Sequence, residues 1–228
     1  MTALRVASYN TRDFLDDRRA AARVVRSMDP DVLCVQEVPR RLLAGRRVTG
    51  FARECAMVWP GGHRGSGGTT ILVRPGLTLV GSRHHRLSTP GVDRTRGFAV
   101  VQVALGGVIL TVVSVHLSLK PGERARHAAA ILEAVRSVPG PVVLAGDLNE
   151  GADGAAFQLL NRSLRDVGPR GPTFPACRPR RRLDVILASA GVGVVPGPPV
   201  DLDEDDVRTA SDHRPIWVDV EVGGAPGP

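Results

Sequence analysis

Apolar and polar residues alternate from Leu4 to Tyr9, which predicts a strand, and the spacing then lengthens to a helical period from Asp16 to Met28 with acids in the first turn. Asp29-Pro30 stops that helix, because the residue before a proline is pushed out of the helical region. Asp31 to Val38 is an almost unbroken apolar run and predicts a buried strand, while residues 39–56 predict a helix, or helices broken near Gly45 and Gly50. Strands follow at Thr69 to Val73 and Leu77 to Val80. A hairpin comes next, Phe98 to Leu105 with Val108 to Leu117, turned by Gly106-Gly107. The second half repeats this order. A helix runs from Gly122 or Glu123 to about Val138, a strand through VVLAGDLN (Val142 to Asn149), and a short helix from Ala155 to Leu164. Strands in RLDVILAS (Arg182 to Ser189) and SDHRPIWVDVEV (Ser211 to Val222) complete the chain.

No linker is long enough to separate domains; Gly168 to Pro179 and Pro196 to Pro199 read as loops. The expectation is one domain over residues 1–222 and a disordered tail over 223–228. The fold class is α/β (α+β). Two packed, mainly antiparallel sheets flanked by helices, a four-layer α/β sandwich, would bury all these strands and aim their ends at one rim.

Composition narrows the picture. At 228 residues and 43% apolar content the chain can bury a sizeable core. Its net charge of +7 favours an anionic partner, although Lys120 is the only lysine and the abundance of Arg, Ala, Gly and Pro is also what a GC-rich genome produces. Cys34, Cys55 and Cys177 form no CxxC pair and no disulfide framework, so a reducing cytoplasm is expected. The start of the chain has no secretory-leader pattern, and no apolar run reaches the ~18 residues of a membrane span.

The chemistry gathers at strand ends. Asn10, Glu37, His116, Asp147, Asn149, Asp184, Asp212 and His213 each lie at or beside the end of an apolar strand. A carboxylate there is costly to desolvate unless it is paired, hydrogen-bonded or on a metal, so converging acids point to metal ligands. Hard oxygen donors suit Mg²⁺, with Mn²⁺ as substitute; zinc is disfavoured because no Cys/His cluster has ligand spacing. No GxxxxGK[ST] run is present, which excludes a P-loop mechanism.

Six motifs make the pattern specific: SYN (Ser8 to Asn10), QE (Gln36-Glu37), SVHLS (Ser114 to Ser118), GDLN (Gly146 to Asn149), RLDVIL (Arg182 to Leu187) and SDHRPI (Ser211 to Ile216). In this order they resemble the signature of the endonuclease/exonuclease/phosphatase superfamily, the deoxyribonuclease I-like enzymes, over almost the whole chain. The resemblance implies the same four-layer sandwich. It makes Glu37 the principal metal ligand, helped by Asn10 and Asp212. It makes Asp147 the residue that orients or deprotonates the attacking water, and Asn149, on the same face of an extended segment, the holder of the scissile phosphate. His116 would donate to a phosphoryl oxygen, and His213, poised by Asp184, would be a second donor or acid/base partner. The implied reaction is in-line attack of water on phosphorus with inversion.

Weaker features have plain alternatives. Arg94 and Arg96, before the Phe98 strand, are candidate substrate contacts, with ordinary surface arginines as the rival reading. Arg182, in the run RPRRR (Arg178 to Arg182), is a third candidate for gripping phosphate. GGHRGSGG (Gly61 to Gly68) reads as a turn, and RHHR (Arg83 to Arg86) as a solvated edge, since neighbouring strand residues face opposite sides. The leading expectation is a nuclease acting on DNA or RNA, with nucleic acid as partner. The alternatives are a phosphatase or phosphodiesterase on a lipid headgroup, inositol phosphate or small metabolite, which the 4% aromatic content suits, and a non-catalytic binding module. A monomer is expected.

Overall fold

The computed structural model describes residues 3–41, 43–62, 65–89 and 96–223. Arg94, two residues of the glycine-rich loop (His63 and Arg64) and the tail beyond Gly223 lie outside these.

The first half contains β1 (Leu4–Asn10), α1 (Arg18–Met28), β2 (Val32–Gln36), α2 (Ala44–Glu54), β3 (Thr70–Val73), β4 (Leu79–Leu87), β5 (Arg96–Leu105) and β6 (Val108–His116). The second half contains α3 (Pro121–Arg136), β7 (Val142–Asp147), α4 (Ala155–Asn161), β8 (Arg165–Asp166), β9 (Asp184–Ala188), β10 (Val192–Val195), α5 (Glu204–Ala210) and β11 (Ile216–Val222). The strands form two mixed sheets, in the orders β10-β11-β1-β2-β3 and β4-β5-β6-β7-β9-β8.

Strand alternation builds the layers. On β2, Val32 and Cys34 face the other sheet, whereas Leu33 and Val35 face the helices α1, α2 and α5. On β6, Leu110 and Val112 face inward while Val113 and Val115 pack under α3 and α4. Three apolar seams, helix on sheet, sheet on sheet and sheet on helix, thus make the four layers. α1 is closed at its start by Asp17, whose Oδ1 accepts from Arg19 N at 2.8 Å and Ala20 N at 3.1 Å.

Topology aims the strand ends. Each sheet holds one parallel pair, β1 with β2 and β6 with β7, and in these the last residues are in register: Asn10 opposite Gln36, His116 opposite Asp147. The antiparallel pair β7–β9 sets Asp147 opposite Asp184. β11 pairs antiparallel with β1, so Ile216 lies opposite Ser8 and the preceding turn, with Asp212 and His213, falls at the same edge.

Several elements differ from the sequence expectation. α2 runs unbroken through Gly45 and Gly50: a glycine costs ~1 kcal/mol in a helix, which the burial of Val48, Phe51 and Ala52 offsets, and Gly45 lies against the ring of Trp59. β4 extends through Arg86 to Leu87 because it pairs along its length with β5; as an edge strand it is largely exposed and shows little alternation. The strand in GDLN stops at Asp147, and Asn149 has a left-handed φ of 55°, so the two do not share one extended segment. The short α5 and β10 were not expected. α5 buries only Val207 and Ala210 and is otherwise polar, too little to register as a period.

Gly146 is where the backbone leaves no room for a side chain: a Cβ there would lie 2.0 Å from Val115 O of the adjoining strand. Gly146→Ala should therefore destabilise the fold by about 3 kcal/mol, read as a lower urea midpoint with unchanged m-value. An unaltered midpoint would show that β6 and β7 separate more easily than this geometry allows.

Candidate active site

Asn10, at the end of β1, donates through Nδ2 to Glu37 Oε1 at 3.1 Å and to Asp147 Oδ2 at 3.0 Å, while its Oδ1 accepts from Arg12 N at 3.0 Å. It therefore enters the site as the residue that aligns two carboxylates from different sheets, with its oxygen turned away from them. Glu37 follows β2 at a left-handed φ of 54° and is partly exposed. Asp147 is 1% exposed; its Oδ1 accepts from Asn149 N at 2.7 Å.

Two histidines flank Asp147. His116 Nε2 and His213 Nε2 each lie 3.7 Å from Asp147 Oδ2, room for an intervening atom. His213 Nδ1 meets Asp184 Oδ2 at 2.9 Å, and its backbone N–H donates to Ser211 Oγ, which itself donates to Asn10 O at 2.7 Å. Burial works against the charged imidazole, but Asp184, Asp147 and Asp212 together outweigh it and raise the His213 pKa to about 9. Burial, and then the charge of Asp184, raise Asp147 above the usual carboxylate range, against the pull of His213. His116 goes the other way: burial, then Arg96, His213 and Arg40, hold it well below the ordinary histidine value. Its Nδ1 faces Arg96 Nη1 at 3.1 Å, and Asn149 Nδ2 is 3.0 Å from its Nε2 and donates to Leu117 O at 3.0 Å.

The residues fit a hard divalent cation. Glu37, Asp147 and Asp184 bring three carboxylates to one place, and Asp184 Oδ1 is buried with no hydrogen-bond partner among the described residues. Asp147, Asp184 and His213 also offer ligand atoms within 4.8 Å of one another. The Nδ1–Asp184 hydrogen bond leaves His213 Nε2, 3.7 Å from Asp147 Oδ2, as the ring nitrogen available to face an ion or a substrate. Glu37, with its exposed carboxylate, is the better anchor for an ion that must also meet substrate.

Most of this set opens on one cavity of about 640 Å³, with Asn10 and Asp184 outside its lining. Glu37, His116, Asp147, Asn149, Asp212, His213 and Arg96 line it, and Asp212 also faces Arg12 Nε at 3.5 Å. Arg182 is not there. Its Nη1 and Nη2 bind Asp166 at 2.8 and 2.9 Å, and its Nε donates to Pro169 O, so the arginine beside the site is its neighbour Arg181. Sequence reasoning also missed Arg40, Arg41 and Phe174, which line the cavity; the first two fall in a stretch read as helix. Among the weaker features, His84 is bonded to Ser66 and Gly61, and His85 stacks on Phe98, so the two histidines act separately.

The fold and this cluster define a phosphoester-hydrolase architecture, and the comparisons with known proteins agree. The family described as Endonuclease/Exonuclease/phosphatase matches residues 7–213, and the chain belongs to it. Its members are hydrolases of phosphate esters, nucleases, phosphatases and phosphodiesterases among them, and generally use divalent metal ions. No curated protein matches the chain. Among solved structures it is similar to an endonuclease/exonuclease/phosphatase from Bacteroides vulgatus, with 17% identity, TM-score 0.79, and coverage of 98% of this chain and 100% of that one. It is also similar to the mannosyl-6-phosphatase of Bacteroides thetaiotaomicron, at 20% identity, TM-score 0.76, covering 96% and 99%. The human Nocturnin catalytic domain with bound sulfate is a third, at 17% identity, TM-score 0.74, covering 97% and 95%.

Two variants separate the neighbouring arginines. Arg182→Ala should cost on the order of 2–3 kcal/mol of stability by leaving the buried Asp166 short of a partner, with activity of the folded fraction intact. Arg181→Ala should leave stability unchanged and raise KM for an anionic ester several-fold. The reverse pattern in thermal melts and steady-state kinetics would place Arg182 at the substrate after all. Asp184→Asn should lower kcat by about 10²–10⁴ with a far smaller change in KM, because His213 loses the partner that orients it. Unchanged kcat would remove the dyad from the chemistry.

Proposed function

We propose that the protein is a Mg²⁺-dependent phosphoesterase, with Mn²⁺ as a substitute metal, that hydrolyses phosphodiester bonds of nucleic acid by in-line attack of water. The observation that carries this reading is the convergence of Glu37, His116, Asp147, Asn149 and His213, from both sheets, on one cavity, with Asn10 and Asp184 buried behind them and bonded to Glu37, Asp147 and His213. Glu37 holds the metal, with Asp212 as a further contact. The metal, when bound, supplies Lewis-acid stabilisation of charge on the phosphoryl oxygens. Asp147 orients and deprotonates the attacking water. Asn149 and His116 donate to the phosphate, and His213, held through Nδ1 by Asp184, donates through Nε2. Arg40, Arg41, Arg96 and Arg181 at the cavity support an extended anionic substrate.

A second reading, hydrolysis of a small phosphate ester, is favoured by the aromatic content of the cavity: Phe174 is the one aromatic ring other than histidine among the described residues lining it, a poor platform for stacked bases. The shared fold with a mannosyl-6-phosphatase is compatible with it. We also take the protein to be a monomer of the cytoplasm; the buried free thiols Cys34 and Cys55 support the compartment. No helix among the described residues is long and apolar enough to cross a membrane.

Plasmid DNA, RNA, bis-p-nitrophenyl phosphate and phosphomonoesters should be assayed with Mg²⁺, Mn²⁺ or EDTA, beside Glu37→Ala and His213→Ala. The expected result is metal-dependent nicking lost in both variants, with affinity falling steeply with salt as phosphate-bound counterions are released. Turnover confined to small or lipid esters, with a shallow salt dependence, would replace nucleic acid by the second reading, and silence throughout would leave a binding module.

A further inference from the structure

The surroundings of His116 contain a mismatch. A guanidinium is a donor only, so the His116 Nδ1 that meets Arg96 Nη1 at 3.1 Å must present its lone pair. A neutral imidazole carries one N–H, which then sits on Nε2. Yet Nε2 lies 3.0 Å from Asn149 Nδ2, whose other contact is the carbonyl of Leu117 at 3.0 Å, so the amide nitrogen is a donor as well. Turning the amide over would set its oxygen against the Leu117 carbonyl instead. The nearest carboxylate oxygens, of Asp147 and Glu37, are 3.7 and 3.8 Å from Nε2, beyond hydrogen-bond length. Two N–H groups thus converge with no acceptor between them among the described residues, at the wall of the cavity that holds Asp147 and His213.

We propose that Arg96 is a positioning residue: by donating to Nδ1 it locks His116 as the Nε2–H tautomer, so that His116 and Asn149 form a paired donor for a single phosphoryl oxygen. The inference rests on the phosphoesterase reading for the identity of that oxygen; the tautomer rests on the charged Arg96 donor at Nδ1 outweighing the neutral Asn149 donor at Nε2. It changes the role expected of Arg96, which acts through the histidine in addition to lining the cavity. It also gives the two histidines opposite frames. His213 has an acceptor, Asp184, behind its Nδ1, and His116 has a donor behind the same atom. With Nδ1–H pinned on one ring and Nδ1 lone pair on the other, only His213 can pass a proton toward the reacting groups without losing its anchor; His116 is confined to donating.

The test is the side-chain ¹H–¹⁵N long-range spectrum of the full ¹⁵N-labelled chain at neutral pH in Mg²⁺ buffer, with His116→Gln used to assign the His116 signals. The wild type should show the Nε2–H tautomer alone. Arg96→Met should give a mixture of tautomers and a kcat lower by about 100-fold, with KM moving much less. Arg96→Lys, which keeps a cationic donor, should restore the single tautomer and most of kcat. A wild-type His116 in the Nδ1–H or doubly protonated form would overturn the proposal, and so would an Arg96→Met protein whose His116 tautomer is unchanged while KM rises. The spectrum of the wild type decides the tautomer even if Arg96→Met fails to fold or no phosphate ester is turned over, so failure of the function and failure of this inference remain distinguishable.

Discussion

A buried polar bridge fixes how the two sheets meet beneath the site. Gln36 Oε1 accepts from Ser8 Oγ at 3.3 Å within the first sheet, and its Nε2 donates to Ser114 Oγ at 3.2 Å in the second. All three are fully buried. An unpaired amide there would cost ~1–3 kcal/mol, so this contact tolerates little sliding of one sheet over the other. Asn10, two residues beyond Ser8 on β1, makes the next cross-sheet bond, to Asp147 at the end of β7, at 3.0 Å. The apolar seam between the sheets is non-directional and would accept several alignments; the polar bridge selects the one in which donors and carboxylates meet.

The same constraint explains why charges can be buried at this edge at all. Asp147 and Asp184 are both 1% exposed and face each other across β7 and β9. Two such acids would repel strongly in a medium of low dielectric. His213 offsets some of this through its bond to Asp184, and Asn10 and the Asn149 N–H satisfy Asp147. One oxygen of Asp184 remains without a partner among the described residues. The site is thus held short of full compensation, a state that the surrounding structure must maintain and that a cation is suited to relieve.

What the sequence made legible follows from where burial leaves a periodic trace. β1, β2, β6 and β7 are buried on both faces, and their apolar runs end in polar motifs, so the convergence of Asn10, Glu37, His116 and Asp147 could be read from the order of residues. β4 and α5 bury few side chains, and their extents were correspondingly misjudged or missed. The turn after Asp147 was opaque for another reason: a left-handed residue at Asn149 has no signature in hydrophobic spacing, since asparagine only tolerates that conformation. Ser8, Gln36 and Ser114, inside the SYN, QE and SVHLS motifs, gave no sign of their task in the sequence. Their role as the bridge between sheets needs two strands known to be in different sheets, which no single stretch of sequence reveals.

The arginines show where charge stops being legible. Arg181 and Arg182 are adjacent in a run that suggests one basic patch, yet Arg182 is held by Asp166 while Arg181 lines the cavity. Arg5, Arg74 and Arg124 are likewise held by Asp219, Asp31 and Glu150. A net charge of +7 therefore overstates the field available evenly over the surface, and at the cavity Arg40, Arg41, Arg96 and Arg181 stand among four acids, Asp13, Glu37, Asp147 and Asp212. Attraction falls off within ~10 Å at ordinary ionic strength, so it is this local cluster, beside Glu37 and Asp147, that an anion feels on approach. Under the proposed function, charge of that kind would guide a phosphate toward the donors and leave discrimination among esters to the shape of the cavity around them.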